Sequence, residues 1–250
     1  MQLAQHARHL RTKTGVALWL TFAAGCIDIV GFLTIYRTFT ANMTGATVRL
    51  GQNLIAGRWP DAAKVGCILA AFLLGSIIGR TIIEAGARWR VRNVASATLL
   101  LEAALVVAVV PLSNAPARAL RVVGLLAMLA GAMGLQTATL TRVGSLTVHT
   151  TFVTGMLNKL AQLLSHAAFL TYDKLRGCQV IEHRRQVVRQ ARFMFTIWVA
   201  YLGGAVIGTW MASAWGTRSL IVPACAVAMV IIVDQMAPLS VEEERDEPER

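Results

Sequence analysis

Charge is scarce in this chain: 15% of its 250 residues are Asp, Glu, Lys or Arg, against about 25% in an ordinary soluble domain. With 56% hydrophobic residues and a mean hydropathy of +0.58, a water-solvated globule is excluded. Alternating segments of about ten residues, which a membrane β-barrel needs, are also lacking. The four cysteines have no metal-ligand spacing; Cys26, Cys67 and Cys225 lie in apolar runs and Cys178 in a basic stretch, and they read as small apolar residues. No nucleotide loop, nucleophile elbow or catalytic carboxylate pair occurs. The chain is therefore not expected to be an enzyme, and no metal or cofactor is implied. The net charge of +11 lacks the interleaved aromatics of a nucleic-acid platform. No nucleic-acid partner is expected, because membrane insertion needs the same basic surplus on the cytoplasmic side.

What the chain has instead is apolar length. Runs near the length that crosses about 30 Å of hydrocarbon fall at residues 14–36, 63–83, 94–112, 119–140, 193–213 and 219–237. A basic arm, residues 1–13 with Arg8, Arg11 and Lys13, precedes the first. This start imitates a signal peptide, but the run from Val16 to Tyr36 exceeds the roughly 7–15 residues of a cleaved apolar region, so it reads as a retained span. The tail, 238–250, is charged and is expected to be disordered. One transmembrane domain over 14–237 remains, with halves near 14–112 and 119–237.

Those halves repeat. Residues 40–54, TANMTGATVRLGQNL, align with 150–164, TTFVTGMLNKLAQLL, at a constant offset of 110. Thr40/Thr150, Thr44/Thr154, Gly45/Gly155, Leu50/Leu160, Gln52/Gln162 and Leu54/Leu164 are identical, and Arg49 aligns with Lys159. An internal repeat constrains the fold more than any local propensity. It extends loosely upstream, Ala24-Gly25 against Met133-Gly134, and downstream, GSIIG at 75–79 against GAVIG at 204–208. The downstream offset is 129, so the second half holds extra residues, in the basic stretch 172–192.

The threonine–glycine stretches are short and amphipathic, so six spans compete with eight. In the six-span arrangement 17 basic residues fall on the N-terminal side and 7 on the other. Equivalent loops of the two halves differ in charge, mostly in the sense expected of halves lying upside down to each other, and three spans per half force that inversion. The expectation is an all-α polytopic membrane bundle, six spans as a 3+3 inverted repeat. Each half carries an extra short amphipathic or re-entrant Thr-Gly helix. Both termini are expected to be cytoplasmic, in a bacterial inner membrane.

Several residues are candidates for chemistry. Asp28 is an acid in mid-span, costing about 2.5–3.5 kcal/mol on insertion scales, and should face the bundle interior, as a pin between helices or as a functional group. Glu102 is a second such acid, without a repeat counterpart. Asp234 is read as reaching the interface. Thr44 and Thr154 are expected to cap helices beginning at Gly45 and Gly155, whose positive ends would face a binding site. Arg49 and Lys159 are candidate counter-ions, or snorkel to headgroups. Asn42 and Gln136 would line a cavity or bridge helices. Gly75, Gly79, Gly204 and Gly208 read as close helix contacts. Trp59, Trp89, Trp210 and Trp215 fit an interfacial belt. Residues 172–192 should lie along anionic lipid.

Taken together, Ala24-Gly25 with Asp28, Met43–Gly45, Gly134 with Gln136, and Thr151 with Thr154-Gly155 resemble the YoaK-like family of bacterial membrane proteins over about residues 14–237. The resemblance implies six-span inner-membrane proteins of unknown function. The chain departs from it at Ala46 and Thr137, where similar members typically carry asparagine; if those amides bind a ligand, this protein binds a different one or binds it weakly.

The leading functional expectation is a small secondary transporter or permease. A small-molecule substrate, with an anionic one favoured by the helix dipoles and basic residues, would bind between the halves at Asp28, Asn42, Thr44, Gly45, Arg49, Gln136, Thr154, Gly155 and Lys159. The alternatives are a non-transporting assembly or regulatory protein and, less favoured, an intramembrane enzyme. The expected partners are the lipid bilayer, anionic lipids along residues 172–192 and, as an alternative to a lone chain, further copies in a homo-oligomer.

Overall fold

A computed structural model describes residues 2–89, 91, 93–114, 119–139, 142–143, 146–147, 151–176 and 181–236. The acidic tail lies outside the described residues. Among the described residues eight α-helices carry the fold: α1 (Gln2–Thr34), α2 (Met43–Ile55), α3 (Trp59–Arg88), α4 (Val94–Ser113), α5 (Ala119–Thr139), α6 (Val153–Leu175), α7 (Ile181–Trp215) and α8 (Ile221–Met236). A 3-10 turn, Gly216–Leu220, joins α7 to α8. Between α5 and α6 a two-rung antiparallel ladder pairs β1 (Arg142–Val143) with β2 (Leu146–Thr147), so the regular structure of the described residues is helical but for this ladder.

Local chemistry explains where the helices stop and start. Gly57 and Gly216 take φ of 66° and 55°, a region costly for any residue with a Cβ, and they turn the chain between α2 and α3 and after α7. Pro60 opens α3, Asp61 lies in its first turn and Arg88 in its last, all suited to the helix dipole. Asp234, from α8, accepts bonds from Ser96 N at 3.0 Å and Ser96 Oγ at 2.5 Å. It therefore caps α4 from across the bundle. It is fully buried, which corrects the expectation that it reaches the interface: the start of α4 lacks a side-chain cap of its own, and Asp234 supplies one.

Two segments outside the expected spans are helical. The basic arm is continuous with α1, and residues 172–192 are mostly the end of α6 and the first turns of α7. Among the described residues, five segments are long and apolar enough to cross a membrane: Thr12–Thr34, Trp59–Arg88, Val94–Ser113, Leu120–Thr139 and Ile181–Met236. The last joins α7, the 3-10 turn and α8, so length and composition give five where six were expected; α8 has only 16 residues. Leu73, Leu74, Ile77 and Ile78 on α3, and Leu202, Val206, Ile207 and Trp210 on α7, are exposed. Apolar side chains on both faces of a helix are what lipid requires and water penalises.

The helices pack as crossed pairs. The most extensive contacts are α3 with α5 and α1 with α7. α2 lies on α3 as α6 lies on α7, and α4 meets α5 as α8 meets α1. If the first four helices are matched in order with the last four, each of these contacts has its counterpart. The glycines show the same correspondence at atomic scale. A Cβ on Gly25 would strike the carbonyl oxygen of Tyr201, and one on Gly134 that of Phe72. Gly204 likewise lies on Phe22 O, and Gly75 on Gly131 O. Gly208 packs on Cys26 and Ile29, and Gly79 on Leu135 and Ala138. Every α1 residue in this set precedes its α5 equivalent by 109, and every α3 residue its α7 equivalent by 129. The four glycines expected to make close helix contacts therefore do so, in two equivalent crossings.

Candidate functional site

The two threonine–glycine stretches form equivalent helix starts. α2 begins at Met43 and α6 at Val153, 110 residues apart. Their N-cap residues, Asn42 and Phe152, have φ/ψ of −86°/75° and −107°/73°. From 41–50 to 151–160 the burial pattern repeats position by position. The caps themselves differ from expectation. Thr44 and Thr154 sit inside the first turn, and neither caps. At α2 the cap is Asn42, whose Oδ1 accepts from Gly45 N at 3.0 Å; Phe152 can offer no such bond.

This geometry explains the glycine. A Cβ on Gly45 would come within 3.0 Å of Asn42 Nδ2, and one on Gly155 would strike the Phe152 ring. In both copies the N-cap side chain folds back over the glycine, and the vacant Cβ position makes room for it.

Asp28, only 4% exposed, anchors the loop before α2. Its Oδ1 accepts from Thr40 N (2.6 Å), Thr40 Oγ1 (3.1 Å) and Ala41 N (2.9 Å). Its Oδ2 accepts from the Tyr201 hydroxyl at 2.8 Å. A charged acceptor with four donors is well compensated for its burial. The repeat equivalent of Asp28 is Thr137, whose hydroxyl lies 2.6 Å from that of Thr151, in the segment before α6. So each helix start is tethered at the same place, by an acid in one half and a hydroxyl in the other.

These groups surround one cavity of about 490 Å³. Its walls are Asp28, Phe39, Ala41, Asn42, Met43, Thr44, Phe72, Thr137, Thr151, Phe152, Val153, Thr154 and Tyr201. All but Phe39 fall into repeat pairs: Asp28 with Thr137, Ala41 with Thr151, Asn42 with Phe152, Met43 with Val153, Thr44 with Thr154, and Phe72 with Tyr201. The backbone frame is repeated while the chemistry differs, with the acid, the amide and the phenol each facing an uncharged or apolar equivalent. Cavities of this size, mainly apolar with a few convergent polar groups, are the usual form of a small-molecule site.

The remaining candidates lie elsewhere. Gln136 is fully buried and donates Nε2 to Leu20 O at 2.7 Å; it ties α5 to α1, one of its two expected roles. Arg49 donates Nη1 to Arg37 O and Thr38 Oγ1, both at 2.8 Å. It lines a smaller polar crevice with Arg58, Asp61 and Lys64. Lys159 is exposed on α6. Neither basic residue borders the large cavity, because each lies about a turn and a half beyond its helix start. Phe72, Thr137, Thr151 and Tyr201 were not among the candidates. Applying the 109 offset of Gly25 and Gly134 to Asp28 would have found Thr137; the other three had no candidate as a repeat partner.

Glu102 is fully buried on α4. Among the described residues, neither of its carboxyl oxygens has a hydrogen-bond partner. His166 and His183 meet at 3.0 Å between their Nε2 atoms, joining α6 to α7. The described residues contain no cluster of three or more metal-ligating side chains.

Comparison with known proteins agrees with the residues above. A family model described as a protein of unknown function (DUF1275) matches residues 16–233. The UPF0700 transmembrane protein YoaK of Bacillus subtilis (strain 168) is 30% identical over 158 residues, 62% of this chain and 68% of that protein. No solved structure matches this chain.

Proposed function

The chain belongs to the DUF1275 family of membrane proteins, and from that premise we propose that it is a small secondary transporter or permease whose solute binds in the cavity between the repeat halves. The observation that carries this reading is the lining: twelve wall residues form six repeat pairs. Transporters built from internal repeats bind their substrates at the repeat interface, beside helices that begin within the membrane. Here α2 and α6 both begin at the cavity.

The same reading takes the bundle as six spans in a 3+3 inverted repeat within the bacterial inner membrane, with both termini cytoplasmic. A straight helix of 56 residues would be about 84 Å long, far more than one crossing needs. The φ of Gly216 and the 3-10 turn after it favour a reversal between α7 and α8. Three crossings per half then invert the second half against the first, and the excess of basic residues on the N-terminal side supports the orientation. No catalytic role is proposed.

Reconstitution tests the function. Purified protein in liposomes should accumulate or exchange a small solute, and Asp28→Asn should reduce that flux at least tenfold. Flux unchanged by Asp28→Asn, or no flux across a broad solute panel, removes the reading. Single-cysteine labelling at the 57 and 216 turns tests the topology, since six spans with both termini inside put both turns outside.

A further inference from the structure

The cavity also carries information about the charge of its occupant. Asp28 is the one charged side chain among the thirteen described wall residues. Four aromatic rings, Phe39, Phe72, Phe152 and Tyr201, form much of the remaining wall. Arg49 and Lys159, which would have favoured an anion, lie outside it. At the start of α2 the Gly45 amide donates to Asn42 Oδ1 and the Met43 amide to Ala41 O, and in the loop just ahead the amides of Thr40 and Ala41 donate to Asp28.

Asp28 is not saturated. Among the described residues Oδ1 has three donors and Oδ2 has only the Tyr201 hydroxyl, and a carboxylate oxygen has room for a second. The oxygen with spare capacity is the one that meets an aromatic residue of the wall. A buried carboxylate beside aromatic side chains is the arrangement that recognises an ammonium group, through a charge-assisted hydrogen bond and cation–π attraction. Thr154 also contributes a hydroxyl to the cavity wall, and the start of α6 has no side-chain cap; these suit a neutral acceptor on the same molecule.

Resting on the reading of this cavity as the solute site, we infer that its ligand is a small organic cation, an amine on an apolar or aromatic body, and not an anion. The ammonium sits against Asp28 Oδ2 and Tyr201, and the body lies among Phe39, Phe72 and Phe152. The half-to-half differences then have a purpose: Asp28 against Thr137 and Tyr201 against Phe72 give a repeated frame one cation-binding end.

Three probes of similar size separate the charge states: 2-phenylethylamine, 3-phenylpropan-1-ol and 3-phenylpropanoate, titrated against the purified full-length protein and followed by tryptophan fluorescence and thermal shift. The amine should bind at least tenfold more tightly than the alcohol and the acid, and Asp28→Asn should bring it down to the level of the alcohol. Asp28→Asn could fail to fold, since it alters the anchor of the loop before α2. Thr154→Lys covers that case: it puts a cation at an exposed position on the cavity wall and should abolish amine binding in a protein that melts normally. Equal or tighter binding of 3-phenylpropanoate, an amine affinity indifferent to Thr154→Lys, or no amine binding at millimolar concentration overturns the inference. Liposome flux separates this from the permease reading. Amine bound but never moved removes the permease and keeps the cation site; 3-phenylpropanoate moved in preference to the amine does the reverse.

Discussion

Two buried acids, Asp28 on α1 and Glu102 on α4, have opposite surroundings, and the contrast is testable. Asp28 has four donors; Glu102 has none among the described residues. Removing Asp28 strands two buried backbone amides, so Asp28→Ala should cost about 2–5 kcal/mol. Asp28→Asn keeps one acceptor and should cost less than half of that. Thermal unfolding in one detergent ranks the two, and equal melting temperatures would contradict the anchoring role. Glu102→Met should act in the other direction, raising stability by about 1–3 kcal/mol, since an apolar side chain of similar volume replaces an unsatisfied polar one. If Glu102→Met melts higher yet loses flux, the acid is retained for function; if it melts lower, the carboxyl has a partner. An acid within an apolar run is easily read from a sequence, and Asp28 stood out for that reason. What it binds was not readable, because Tyr201 is 173 residues away. Asp234 was misjudged because nearness to a helix end suggested solvent, while its partner Ser96 lies at the start of a different helix.

At the scale of the helix, glycines divide into those that must be glycine and those that need not be. Gly25→Ala and Gly134→Ala each force a backbone crossing apart and should cost about 1–3 kcal/mol. Gly203→Ala is the control: a Cβ there meets nothing within 4 Å, so the change should be neutral or stabilise by up to about 1 kcal/mol through helix propensity. A similar loss at all three positions would mean that the crossings are not tight. Gly155→Ala displaces the exposed ring of Phe152 and should weaken solute binding more than it lowers the melting temperature. The small-residue motifs were legible because close helix approach tolerates few residue types. The helical character of 172–192 was not, because dense basic charge masked its helical pattern. The start of each short helix was placed two residues late, because threonine is a common cap and the preceding Asn42 and Phe152 share no chemistry.

On the scale of the whole molecule, the repeat was the most legible feature, since the same residues recur at a fixed offset. Which helices touch was less so: order along the chain suggests that each half packs on itself, whereas the strongest contacts join α1 to α7 and α3 to α5, one helix from each half. A doubly substituted protein tests the cavity in this setting. Thr44→Cys with Thr154→Cys, bridged by a short bifunctional thiol reagent, should block flux, and either single variant treated alike should keep it. A bridged protein that still transports would show that the solute passes elsewhere.

The crossed pairing has a mechanical consequence. Each pair is locked by backbone contacts too close to slide, so α1 with α7 and α3 with α5 behave as two stiff levers, and neither lever is a repeat half. Asp28 and Tyr201 belong to one lever; Phe72 and Thr137 belong to the other. α2 rests on the second lever, yet its leading loop is bonded to Asp28 on the first. α6 rests on the first, yet Thr151 just ahead of it is bonded to Thr137 on the second. The two short helices are therefore straps, each fixed at one end to either lever. Any rocking between the levers pulls on both straps at their threonine–glycine ends, so the cavity cannot change shape without the loops before α2 and α6 bearing the load.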